Sequence, residues 1–225
     1  MDLPQNKWFD HYSKHFDTVE INNSFYRIPT DATFDRWCEQ APTGFCYAIK
    51  ASRYITHMKK LKDPTDSLEM LFDGADRLAS KLGPVLYQLP PRWPVDLGRF
   101  ELFLDALPSG YKHVVEFRES SWLIEDVFRL MRSRRVAHCI HDYGGLQIPP
   151  EVTGRLVYLR FHGGAGHRGN YSKAKLKSWA QRIGQWRRKK LSVFAYFNND
   201  VGGYAIKNAL TLKRMLEGVL RSSEF

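Results

Sequence analysis

His113-Val-Val-Glu-Phe-Arg118 is a short apolar run that ends in charge. Side chains alternate across an extended chain, so Val115 and Phe117 share one face while Val114, Glu116 and Arg118 share the other. A helix-like stretch, Leu97–Leu107, stopped by Pro108, precedes it, and another, Ser121–Arg134, follows with Ser120/Ser121 as cap candidates. Six more runs have the same character: Thr18–Asn22, Phe45–Lys50, Pro84–Gln88, Val136–Asp142, Leu156–His162 and Ser192–Asn198. Further helical spacing covers Asn6–His15, Thr33–Gln40 with Thr33 as N-cap, Ser67–Leu82 ended by Gly83-Pro84, Ser172–Lys190 and Ala205–Arg221. Strands that alternate with helices imply a parallel sheet with helices outside it.

No Gly-x-Gly-x-x-Gly turn follows an early strand, which argues against an open dinucleotide-binding sheet and for an α/β TIM-type (β/α) barrel. Such barrels have eight strands in about 250 residues. This chain opens on a helix and offers seven runs in 225 residues, so it reads as one domain over residues 1–225 that lacks the first strand. In this architecture functional groups gather beyond the carboxyl ends of the strands.

The apolar share of 43% supports a sizeable core, and no stretch approaches the roughly 18–20 apolar residues of a membrane span. The N-terminus lacks the apolar segment of a secretory signal. Cys38, Cys46 and Cys139 are odd in number and widely spaced, as expected of reduced core residues in a cytoplasmic protein. The net charge of +10 favours anionic partners without choosing among them, and an uninvolved basic protein has the same balance.

Alternation places Glu20 with Asn22, Lys50 with Ala48, Gln88 with Leu86, and Arg160 with Tyr158 and His162. It likewise groups His138, Ile140 and Asp142, and Phe194, Tyr196 and Asn198. One face of nearly every strand is therefore apolar and suits helices, while the other turns polar toward its end. Acids and bases inside a barrel must pair, since an unpaired buried charge costs several kcal/mol. They read either as a network that fixes the strand register or as the lining of a ligand site; the size of the set favours the ligand.

Five blocks then carry a resemblance: Glu20-Ile-Asn-Asn-Ser-Phe-Tyr-Arg-Ile-Pro29, Tyr87-Gln-Leu-Pro-Pro91, Glu116-Phe-Arg-Glu-Ser-Ser-Trp122, Tyr158-Leu-Arg-Phe-His-Gly163 and Tyr196-Phe-Asn-Asn-Asp200. Together, and in this order, they resemble the YecE-like family, domain of unknown function number 72, from about residue 5 onward. The resemblance implies a TIM barrel and brings no reaction, cofactor or substrate. Similar members begin with a strand and loop of the type Gly-Thr-Ser-Gly-Trp. Its absence here points to a start upstream of Met1, or to a lost first strand.

Two functions fit. One is an enzyme acting on an anionic, phosphate-bearing substrate, small or polymeric, at the strand-end mouth. Its catalytic candidates are Glu20, Lys50, Glu116 and His162, and its substrate-binding candidates Asn22, Gln88, Arg118, Arg160, Arg168, Tyr196, Asn198 and Asn199. Glu20 and Glu116 could pair for acid/base work, but adjacent cations make both better ion-pair partners than raised-pKa acids. The loop His162–Tyr171 has four glycines and Arg168, which suits a phosphate cradle and equally a merely flexible loop. The Asn198-Asn199 pair suits polar-substrate orientation or a structural turn. His57, His138, His141, His162 and His167 offer metal ligands, yet no pair has the spacing of a known motif, and no metal or cofactor is assigned. Tyr12, Phe25, Tyr26, Trp93, Trp122, Tyr143 and Tyr171 divide between pocket and core. The second function is a non-catalytic nucleic-acid or protein-interaction module. It would use residues 173–190, eight bases and no acid around Trp179 and Trp186, a pattern that also describes a solvated helix face.

Overall fold

The computed structural model describes residues 3–163 and 169–221. Its fold is α/β, of the TIM-barrel class. Seven parallel strands follow one another in chain order: β1 (Thr18–Ile21), β2 (Cys46–Lys50), β3 (Leu82–Gln88), β4 (His113–Glu116), β5 (Ala137–His141), β6 (Leu156–Phe161) and β7 (Ser192–Phe197). The helices that alternate with them are α1 (Trp8–Tyr12), α2 (Asp31–Gln40), α3 (Thr65–Ala75), α4 (Leu97–Ala106), α5 (Glu125–Ser133), α6 (Lys173–Arg188) and α7 (Tyr204–Arg221). Most strands stop one or two residues before the polar terminus of their run, so Asn22, Arg118, Asp142, His162 and Asn198 stand just beyond the carboxyl ends. The chain forms two compact units, Met1–Pro90 with Asp96–Val114, and Pro91–Val95 with Val115–Phe225.

In the first unit the register pairs Glu20 with Ala48 and Lys50 with Leu86, as alternation requires. Tyr47 sits among Phe9, Trp37 and Phe45. α2 starts at Asp31, earlier than expected, and Thr33 lies inside it, its hydroxyl 3.0 Å from that of Thr30. Asp31 then faces the positive end of the helix. At the other end the Lys81 ammonium donates to the carbonyls of Cys38 and Ala41, satisfying groups that the helix leaves unpaired.

The continuous helix expected over Ser67–Leu82 is divided. α3 ends at Ala75, a 3-10 segment runs over Asp76–Lys81, and Ala79 has φ +48°. Gly83-Pro84 does not end a helix but belongs to β3, because the strand packs too closely on β2 for a side chain. A Cβ at Gly83 would come within 2.8 Å of the Tyr47 carbonyl oxygen.

In the second unit β5, β6 and β7 pair in register through Cys139–Tyr158, His141–Arg160 and Arg160–Tyr196. α6 lays Leu176, Ala180, Ile183 and Trp186 on Ile140, Val157, Leu159 and Phe161. Against α7 it presents Gly184, where a Cβ would lie 2.8 Å from Val219 Cγ1. The Ser172 hydroxyl caps α6 by accepting the Lys175 N–H at 3.2 Å. Ser120 and Ser121 instead form a separate 3-10 turn, and α5 follows Ile124 with Glu125 and Asp126 in its first turn. That turn inserts Trp122, which is fully buried, stacks on Phe117 and donates its indole N–H to the Trp93 carbonyl at 2.7 Å.

Candidate functional site

The polar groups of the second unit meet around Glu116, which β4 carries to its last position and which is fully buried. Arg118 Nε donates to one carboxylate oxygen, and Arg160 Nη1 donates to the other at 2.7 Å. The Cys139 thiol lies 3.5 Å from that second oxygen. Burial opposes ionisation of Glu116, but the charges of Arg160 and Arg118 outweigh it and hold the carboxyl well below the usual range. Two cations against one anion leave the cluster with one positive charge.

Arg118 is also stacked, with its guanidinium carbon 3.7 Å from the centre of the Tyr143 ring. Its Nη2 is 3.5 Å from His162 Nε2. Because guanidinium nitrogens only donate, Nε2 is the acceptor and His162 is the neutral Nδ1–H tautomer. Burial, reinforced by repulsion from Arg160, lowers this imidazole to about 3, so it stays neutral through the physiological range. His141 is also neutral. The Tyr143 N–H donates to its Nδ1 at 3.1 Å, which leaves Nε2 to donate to the Phe117 carbonyl at 2.8 Å.

A second set of bonds holds the chain after β6. The His162 N–H donates to Asp142 Oδ1 at 2.7 Å, and the Tyr171 hydroxyl donates to Asp142 Oδ2. Tyr171 in turn accepts the Gly163 N–H at 2.8 Å. The Asn199 amide donates to the Gly169 carbonyl and to Asn208 Oδ1, both at 2.9 Å. Gly163 takes φ +85°, and a Cβ at Gly169 would come within 2.6 Å of its carbonyl oxygen. Here the glycines let two stretches of backbone touch. Arg168 and His167 lie outside the described residues.

Of the expected site residues, the structure brings Glu116, Arg118, Arg160 and His162 together. Tyr196 joins the same face through Tyr158, at a ring separation of 5.1 Å. Asn199 is buried and ties loops together, and Asn198 donates its backbone N–H to the Phe161 carbonyl at 2.7 Å. Glu20, Asn22, Lys50 and Gln88 belong to the first unit. There Glu20 is buried, Asn22 exposed and Gln88 half-buried, while the Lys50 ammonium sits 3.9 Å over the centre of the Phe25 ring.

One expected face is corrected. His138 and Ile140 do not share the Glu116 face. His138 packs on Phe117 and Phe128, and Ile140 joins the core beneath α6. Cys139 and His141 take the inner positions, because the register sets them beside Tyr158 and Arg160. Sequence reasoning therefore offers His141 only as a metal-ligand candidate and misses its inner position beside Arg160. Counting alternation back from Asp142 misled it, since Asp142 lies past the strand; alignment of His141 with Arg160 was the informative signal. Tyr143, one of several aromatics that the sequence leaves divided between pocket and core, stacks on Arg118. Among the described residues, no group of three His, Cys, Asp or Glu side chains is arranged to hold a metal ion.

Comparison with known proteins places these features in a family. Residues 1–223 match the family described as "Protein of unknown function DUF72". The UPF0759 protein YunF of Bacillus subtilis is 27% identical, the match covering 92% of this chain and 84% of that protein. The UPF0759 protein YecE of Escherichia coli is 31% identical over 48% of this chain and 40% of its own length. A DUF72 family protein from Thermotoga maritima has a crystal structure that superposes with a TM-score of 0.85 at 26% identity, covering 96% of this chain and 91% of that one. A DUF72 protein from Enterococcus faecalis, at 19% identity and a TM-score of 0.81 over 94% of both chains, shares the fold. With nearly its whole length matched, this chain belongs to the DUF72 family.

Proposed function

We propose that the protein is a cytoplasmic enzyme that binds a phosphate-bearing anion at the carboxyl ends of β4, β5 and β6 and acts on it there. The observation that carries this reading is Arg118. Glu116 fixes its Nε edge and the Tyr143 ring supports its plane, whereas Nη1 donates to no other described residue. A guanidinium held in this way presents donors in a preset fork, the geometry that suits a phosphate oxygen. The surplus positive charge of the cluster favours the same ligand. Beside it, His162 is a neutral imidazole whose Nε2 accepts from Arg118 Nη2 and so helps to hold the guanidinium in place. Glu116 serves here as the anchor of both arginines and not as a general acid, because it remains ionised. Cys38, Cys46 and Cys139 form no disulfide, which suits a reducing compartment, and no described helix is long and apolar enough to cross a membrane.

Thermal unfolding with inorganic phosphate, and with a panel of phosphomonoesters, tests the proposal. A ligand at about 100 times its dissociation constant adds about 2.7 kcal/mol of stability, a rise of several degrees in a chain of this size. Arg118→Ala should remove most of that rise while the protein still unfolds cooperatively. An unchanged melting temperature at millimolar ligand across the panel, or an undiminished rise in the Arg118→Ala protein, would overturn the reading.

A further inference from the structure

The net charge of the protein resides in one part of the chain. Residues 173–221 hold 12 Lys and Arg against 2 Asp and Glu, whereas residues 1–172 hold 22 against 21. The basic part is α6, β7 and α7. All eight bases of residues 173–190 are exposed: Lys173, Lys175, Lys177, Arg182, Arg187, Arg188, Lys189 and Lys190. The apolar face of α6 is already committed to the core.

Helix stability accounts for Arg187 and Arg188, which stand in the last turn where cations are favourable, but not for the bases at the other end of α6. The first turn of a helix carries the positive end of its dipole, where cations are unfavourable. α2, α3 and α5 follow that rule with Asp31, Asp66, and Glu125 with Asp126, while α4 and α7 carry no acid there. α6 breaks it, having Lys173 and Lys175 in its first turn and no acid. Lys175 even occupies the third position after the Ser172 cap, where a glutamate would complete a capping box. Charges kept where they weaken their own helix point to a role outside it.

We propose that the exposed face of α6, continued by Lys207, Lys213, Arg214 and Arg221 of α7, docks the phosphodiester backbone of a nucleic acid without reading its sequence. The two helices lie side by side where Gly184 meets Val219, and Lys207, Lys213, Arg214 and Arg221 are exposed on α7. At 16 residues α6 is about 24 Å long, enough to span several phosphates of a duplex. A membrane surface would require an apolar face to insert, and none of the exposed large hydrophobic residues lies on α6. A protein interface core would be enriched in aromatics and depleted in lysine; five of the eight bases are lysine, each exposed. Strongly hydrated cations facing water suit phosphates that stay hydrated.

The experiment measures fluorescence anisotropy of DNA and RNA duplexes of equal length and mixed sequence, at about 50 and 200 mM salt. Lys173→Glu/Lys175→Glu is compared with Lys60→Glu/Lys62→Glu, which changes the net charge equally at a site in the first unit. Wild-type affinity should fall at least about tenfold between the two salt concentrations. The α6 variant should bind about tenfold or more weakly, with a salt slope smaller by about 2, while its melting temperature rises by about 1–3 °C. The control should bind as wild type, and the duplex bound more tightly identifies the acid. The proposal is overturned if neither duplex binds at low salt, if the control loses as much affinity, or if the α6 variant melts lower. Preferential capture by phosphatidylserine vesicles would overturn it as well.

Discussion

At Glu116 burial and ion pairing oppose each other, and pairing wins because two arginines share one carboxylate. At His138 and His162 burial wins, and both imidazoles fall from an ordinary 6.5 to about 3. The folded protein therefore holds fewer protons than the unfolded chain between those values. Stability contributed in this way is complete above pH 6.5 and is lost as the pH falls toward 3, by up to about 1.4 kcal/mol per pH unit for each histidine. Glu116 adds acid sensitivity below its unfolded value of about 4.5. In urea titrations between pH 7 and 4, His138→Leu should have a flatter stability profile than wild type, whatever constant packing loss it adds. Parallel profiles would disprove the assignment to His138. Anion binding has a different pH dependence. His162 stays neutral down to about 3, so affinity for a phosphomonoester should rise from pH 5 to 7 with the ligand's own second ionisation, near pH 6. Isothermal titration across that range checks the direction, and an affinity that fell with pH would contradict it.

At the scale of elements, each strand and helix was legible because alternation and helical spacing act locally. What the sequence concealed depends on neighbours. Ala79, at φ +48°, ends a helical pattern that has every apolar residue in place, since β3 must turn back beside β2. Gly83 reads as a helix terminator until the Tyr47 carbonyl appears against it. The inner face of β5 is set by its pairing with β6, and a one-residue error there exchanged His138 for His141. In the site, the paired charges could be anticipated from burial alone, whereas the Tyr143 ring over Arg118 is a loop placement that no strand pattern encodes. The α6–α7 contact has a sharper consequence. Gly184→Ala would drive a methyl group to 2.8 Å from Val219 Cγ1 and should cost about 1–3 kcal/mol. Adding Val219→Ala should restore part of that loss, and chemical denaturation of the single and double variants measures it. Simple additivity would mean the two side chains do not meet.

For the molecule as a whole, an even charge balance over residues 1–172 accompanies a helix pair that carries the surplus, so salt should affect stability and association at one face. The same part of the chain contains Asn208, a buried residue in the first turns of α7. Its amide donates to Asn170 Oδ1 at 2.7 Å, and its oxygen accepts from the Tyr171 N–H at 3.3 Å and from Asn199 at 2.9 Å. One side chain thus joins the start of α7 to the segments that follow β6 and β7. In terms of protection against hydrogen exchange, these three places should form one opening unit, whose amides exchange in step. Asn208→Ala should speed exchange at Tyr171 and at Asn199 together, by about tenfold or more, and leave Leu159 in the middle of β6 unchanged. Loops that look independent along the chain would then open and close as a single event, with a frequency set by a residue outside both.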